Sequence, residues 1–142
     1  MVRRTLIALL SGPLLLTAPA AWGEEYSLRD GSRLTFTGAS ASRIAGSDRV
    51  LLTLNFVGED SGEFSKLNRA QMIQRLDAEV FEICRSHASG LLERLREANP
   101  QMNFARVEIS LTKNTRTAAG GNTDLEWTQE FTLSDGKCAD PY

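Results

Sequence analysis

Lys66–Ala98, KLNRAQMIQRLDAEVFEICRSHASGLLERLREA, decides the fold, because it is long and periodic enough to form a major helix. Ile73, Leu76, Val80, Cys84, Leu91 and Leu95 fall within a narrow arc at about 100° per residue. Arg75, Glu79, Glu82, Glu93, Arg96 and Glu97 occupy the opposite side. Ser65 or Asn68 can accept a hydrogen bond from an orphan backbone N–H at the start, with Gln71 placed three residues after Asn68. Asn99-Pro100 ends the helix, since proline disfavours helical backbone in the residue before it. Gly90 costs up to about 1 kcal/mol against alanine and is the expected point of a kink or division.

Outward from the helix the periodicity changes from 3.6 to 2. Upstream, Arg49–Val57 (RVLLTLNFV) places Val50, Leu52, Leu54 and Phe56 on one face, and a partly apolar second face marks a central strand. GEDSG at 58–62 breaks it. Residues 24–48 are rich in Ser, Gly and Ala and read as an irregular entry with one short strand at Leu34-Thr35-Phe36. Downstream, Phe104–Thr112 alternates with Ala105, Val107, Ile109 and Leu111 inward, and Leu125–Leu133 with Leu125, Trp127, Phe131 and Leu133 inward. Between them TKNTRTAAGGNTD (112–124) reads as a long loop, either mobile or a binding loop. One wet face on each strand predicts a mainly antiparallel sheet. The expected fold is α+β: a four-stranded sheet in the order β-β-α-β-β, with one long amphipathic helix packed on one face.

The first 23 residues stand apart. Arg3 and Arg4, an apolar run from Leu6 to Leu16 and the small residues Ala18, Ala20, Ala21 and Gly23 have the layout of a secretory signal peptide cut between positions 20 and 23. The run, about 11 residues, is too short to span a bilayer, and no second apolar stretch approaches the ~20 residues of a membrane helix. The remainder, 24–142, is about 120 residues, the size of a single domain. The expected location is therefore the periplasm or outside the cell, with no membrane insertion after cleavage.

Loss of the leader removes two arginines and no acid, leaving 14 basic against 18 acidic side chains. An interleaved, net acidic surface argues against nucleic-acid binding. In an oxidising compartment the two cysteines, Cys84 and Cys138, are expected to form one structural disulfide. That pairing competes with a metal or thiol-imidazole role for His87, three residues after Cys84, with Asp140 as a further ligand. His87 then reads as a histidine at the edge of the apolar stripe with one nitrogen satisfied.

CxxC, CxxCH, HExxH, GxSxG and P-loop motifs are absent, so no motif specifies a reaction, cofactor or metal. Arg106, Glu108, Glu126 and Glu130, on the outward side of the last two long strands, and Arg116, in the loop between them, form the candidate binding face. Paired carboxylates there could in principle hydrolyse a glycosidic bond, although alternation alone produces outward acids and Arg106 is a ready cross-strand partner.

From Val50 onward the chain resembles a family of small exported proteins of unknown function common in alphaproteobacteria. The resemblance rests on the strand ending at Phe56-Val57, the helical Cys84, Val107-Glu108-Ile109-Ser110-Leu111, Thr128-Gln129-Glu130-Phe131, Gly136-Lys137-Cys138 and the terminal Tyr142. The family has a second aromatic where Glu130 stands and a tryptophan soon after the last cysteine, where Ala139 and Asp140 stand here. It implies the paired cysteines and the exported compartment, and no catalytic residues. The expectation is a non-catalytic binding or accessory protein acting on another envelope protein. A carboxylate hydrolase of envelope glycans and an inhibitor or immunity protein against an exported toxin are the alternatives.

Overall fold

The computed structural model describes residues 13–16, 22–59, 62–116 and 122–139. Most of the first 23 residues, including Arg3, Arg4, Ala18, Ala20 and Ala21 of the expected signal peptide, lie outside them, as do Gly120, Gly121 and Asp140. The strands are β1 (Pro13–Leu14), β2 (Glu25–Ser27), β3 (Arg33–Arg43), β4 (Arg49–Glu59), β5 (Asn103–Arg116), β6 (Asn122–Ser134) and β7 (Lys137–Ala139). Between β4 and β5 lie a 3-10 turn (Phe64–Lys66) and helix α1 (Arg69–Ile83), continued through a π-helical turn (Cys84–Ala88) into α2 (Ser89–Ala98).

The sheet corrects the expected fold class. Instead of four antiparallel strands under a helix, the molecule is mostly sheet, a mixed half-barrel with a single helical arm. The strand order is β1-β3-β4-β5-β6-β7, and β2 shares the outer edge of β3 with β1. β4 and β5 are parallel, while every other pairing is antiparallel. The helix is the reason: an intervening crossover carries the chain back to the end where β4 began, so β5 starts beside Arg49 rather than beside Glu59.

Alternation reads the core face of β4 correctly, since Val50, Leu52, Leu54 and Phe56 are all buried. In β5 the pattern slips by one residue at its start. Val50 pairs with Phe104 and Leu51 with Arg106, so Ala105 is the extra residue of a bulge and Phe104 takes the inward position. β3 extends well beyond the three residues legible as strand. Its second half, Ala39-Ser40-Ala41-Ser42, has weak strand preference and is held by pairing along β4, after a register shift at Gly38, where φ is 152°. The expected 112–124 loop is also shorter, because β5 and β6 continue pairing as far as Arg116 and Asn122.

The helix begins at Asn68 with a reciprocal capping box to Gln71. Leu76, Val80 and Ile83 are buried before the π-turn, Cys84 and Ala88 within it, and Leu91, Leu92 and Leu95 after it. The wider turn absorbs an extra residue and rotates the second half back onto the core. Ile73, expected inside, is 37% exposed. The irregularity falls at Cys84–Ala88 and the backbone passes through Gly90 as helix. A Cβ at Gly90 would meet no atom within 4 Å. Gly90→Ala is therefore expected to stabilise the fold by about 0.5–1 kcal/mol, read as a higher denaturant midpoint at unchanged slope.

Cys84 and Cys138 form a disulfide with a Cα–Cα distance of 5.4 Å. It ties the π-turn to β7, a strand of three residues that hairpins off β6. Asp135 (φ 52°) and Gly136 (φ 75°) make that two-residue turn, the Asp-Gly pair such hairpins favour.

Candidate functional site

The inner face of the sheet is occupied by the helix stripe and the apolar strand residues, which form one core. The outer face carries the polar positions of each strand, and the registers lay them out as a grid. One row runs Thr35, Val57, Thr112 and Glu126 across β3, β4, β5 and β6. The next runs Asn55, Ser110 and Thr128, and beyond it Thr53, Glu108 and Glu130.

Of the candidate binding face, Arg106, Glu108 and Glu130 come together. Glu108 stands directly opposite Glu130, and the Arg106 Nη1 lies 3.0 Å from the Glu130 Oε1. The cation diagonally placed between two acids offsets their like-charge repulsion. Glu126 is not part of this cluster: it lies four residues along β6 from Glu130, about 13 Å at the rise of a strand. The directly opposed carboxylates of this face are therefore Glu108 and Glu130, and Glu126 stands opposite Thr112 instead. The backbone of Arg116 ends β5 opposite Asn122, at the far end of the hairpin from Arg106.

Glu126 instead shares its row with a groove that inspection of the sequence did not anticipate. The groove, about 490 Å³, is lined by Glu25, Gly31, Ser32, Arg33, Thr35, Val57 and Glu59. Val57 is 39% exposed there, a branched apolar side chain in a row otherwise formed by Thr35, Thr112 and Glu126. Arg33 lies 3.9 Å from Glu25. The signal present in the sequence was Val57 itself, apolar at a position whose neighbours on that face, Thr53 and Asn55, are polar.

The wall of the groove is fixed from the inner side of the sheet. Burial pushes the Asp30 carboxyl up, but the Ser32 hydroxyl and N–H, both donating to Oδ1, with Lys113 and Arg75 nearby, outweigh it and hold the pKa below the ordinary value. Arg75 bridges Asp30 (3.5 Å) and Glu63 (3.0 Å). The turn that presents Gly31 and Ser32 is thereby tied to α1. Beneath it, Lys113 on β5 donates to Glu79 on α1, with both side chains almost wholly buried. The Lys113 Nζ also sits 4.9 Å from the Phe64 ring centroid. Burial pushes the Glu79 carboxyl up against the opposing pull of Lys113, and its Oε2 has no partner. Gly58 makes room for this lysine, since a Cβ there would lie 2.8 Å from Leu34 and 3.2 Å from the Lys113 Cε.

A second cluster fastens β2 to the helical arm. Arg94 donates through both Nη atoms to the Glu24 carboxylate, at 2.8 and 2.9 Å, and Tyr26 donates to the same group at 2.8 Å. The Arg94 hydrogen bond foremost, then that of Tyr26, holds Glu24 down at about 2. Desolvation and the adjacent Glu24 push the Tyr26 phenol up to about 12. His87 lies 3.1 Å from the Ser27 carbonyl and packs on Tyr26 with ring centroids 4.9 Å apart. It is thus a structural histidine at the edge of the core, and both thiols beside it are spent in the disulfide. Trp127, inward and half-buried, donates through Nε1 to Asp77.

Comparison with known protein families, curated proteins and solved structures finds no match.

Proposed function

We propose that this chain is a disulfide-stapled domain of the periplasm that acts non-catalytically, by docking another envelope protein on the outer face of its sheet. The disulfide is present, and among the described residues no helix is long and apolar enough to cross a membrane. The observation that carries the reading is the groove lined by exposed Val57 on the outer sheet face, where, among the described residues around it, Glu59, Asp124 and Glu126 outnumber Arg33. Charge complementarity points to a partner segment that presents basic side chains around a small apolar one.

Charge reversal provides the test. With the protein as bait in a periplasmic extract, a basic partner is expected to be retained at low salt, released as salt rises, and lost from bait carrying Glu59→Lys and Glu126→Lys. Retention by the reversed bait would overturn the reading, as would hydrolysis of an envelope glycan abolished by Glu108→Gln.

A further inference from the structure

The outer edge of β3 is covered in two parts. Its first half pairs with β2, and backbone bonds with Gly23 and Glu24 continue that cover as far as Phe36. The second half is covered by β1, in which Pro13 pairs with Ser42 and Leu14 with Ala41. Leu14 and Leu16 turn inward and pack against the core, whereas Leu15 is 96% exposed, the alternation of a seated strand. These residues belong to the leader.

We infer that removal of the leader leaves the Ala39–Arg43 edge of β3 as a strand-addition site for an extended aliphatic segment of a partner protein. The inference rests on export and cleavage as read above, and it concerns a surface distinct from the outer-face groove. Edges that natural proteins keep unpaired are blunted by lysine, proline or a bulge. Ala39-Ser40-Ala41-Ser42 has no lysine or proline, and the register shift in β3 falls before it, at Gly38. Strand addition supplies affinity through main-chain bonds and specificity through pockets for alternate side chains.

The pocket is present. Leu14 borders a cleft of about 280 Å³ with Arg43, Asp48, Val50, Met102 and Asn103 among its walls. Leu14 is itself one wall of this cleft, so its departure opens the space on the side that Val50, 2% exposed, also lines. The Arg43 Nε is buried there with no acceptor, so a backbone carbonyl or a carboxylate of the incoming strand would satisfy it. A second copy pairing edge to edge would bring only Ala and Ser side chains, too small to fill a space now bordered by leucine. An aliphatic residue at alternate positions is the chemistry that fits.

The test uses full-length chain expressed for export and recovered from the periplasm. Intact mass first establishes whether residues 1–20 are gone. A synthetic peptide of residues 11–17 (SGPLLLT) is then titrated while backbone amides are followed by NMR. Shifts are expected at Ala39–Arg43 and residues 101–103, with the paired part of the β5–β6 hairpin, from Arg106 onward, unmoved. A peptide carrying Leu14→Asp and Leu16→Asp is expected to bind at least about tenfold more weakly. Retention of the leader in the exported protein would overturn the inference, because the edge is then never vacated. With the leader removed, either unmoved Ala39–Arg43 amides or a dimer paired through β3 would also overturn it, while leaving the outer-face reading intact.

Discussion

Lys113→Ala is expected to cost about 3–5 kcal/mol of folding stability, enough to lower the melting temperature by about 10–20 °C. The loss of the Lys113 charge leaves Glu79, already holding one carboxylate oxygen without a partner, buried with no cation beside it. Glu79→Ala should be equally costly for the converse reason. Joint replacement, Glu79→Leu with Lys113→Met, removes both charges at similar volume and is expected to restore stability to near or above that of the wild type. Thermal and denaturant melts of the wild type, Glu79→Leu, Lys113→Met and the joint replacement form a double-mutant cycle. A coupling near zero would show that the two charges do not depend on each other. The pair anchors the end of β5 to α1, directly under the turn that carries Gly31 and Ser32, so the single variants should also weaken partner capture through the outer groove.

Replacement of Cys84 and Cys138 by alanine is the second large effect. The closed loop spans 54 residues, and its chain-entropy stabilisation is about 4 kcal/mol. Against a total of about 5–15 kcal/mol for a domain, such a loss brings the fold close to its limit. The loss should also be uneven. β7 contributes three paired residues at the sheet edge, and its other firm attachment is the bond to the π-turn. Hydrogen exchange is expected to rise first in Lys137–Ala139 and around Cys84–Ala88, while β4 and β5, paired over eleven positions, keep their protection. Uniform loss of protection would show that the staple supports the whole domain rather than its C-terminal edge.

The helix, its cap at Asn68 and the core face of β4 were legible because each is a local repeat: 3.6-residue spacing, a capping box, or strict alternation. The disulfide was legible because only two cysteines exist. The direction of β5 was not, since alternation reports which face is buried and is silent on whether neighbours run parallel. The second half of β3 was missed because Ala and Ser carry no strand signal, and partner strands supplied what propensity lacked.

The site divides the same way. Strand alternation placed Arg106, Glu108, Glu126 and Glu130 on the wet face, as the structure has them. It could not say that Glu130 faces Glu108 while Glu126 faces Thr112, because register between strands is set by turns, bulges and packing far from these residues. Nor could it place Val57 beside Thr35 and Thr112, or send Lys113 across the core to Glu79. By itself the sequence determined the helix, the apolar faces and the staple, each a matter of local periodicity or composition. Only the tertiary structure decided the half-barrel, the grouping of polar side chains into an acidic-rimmed groove and the cover of one sheet edge by Pro13 and Leu14, because those rest on contacts between segments distant in the chain.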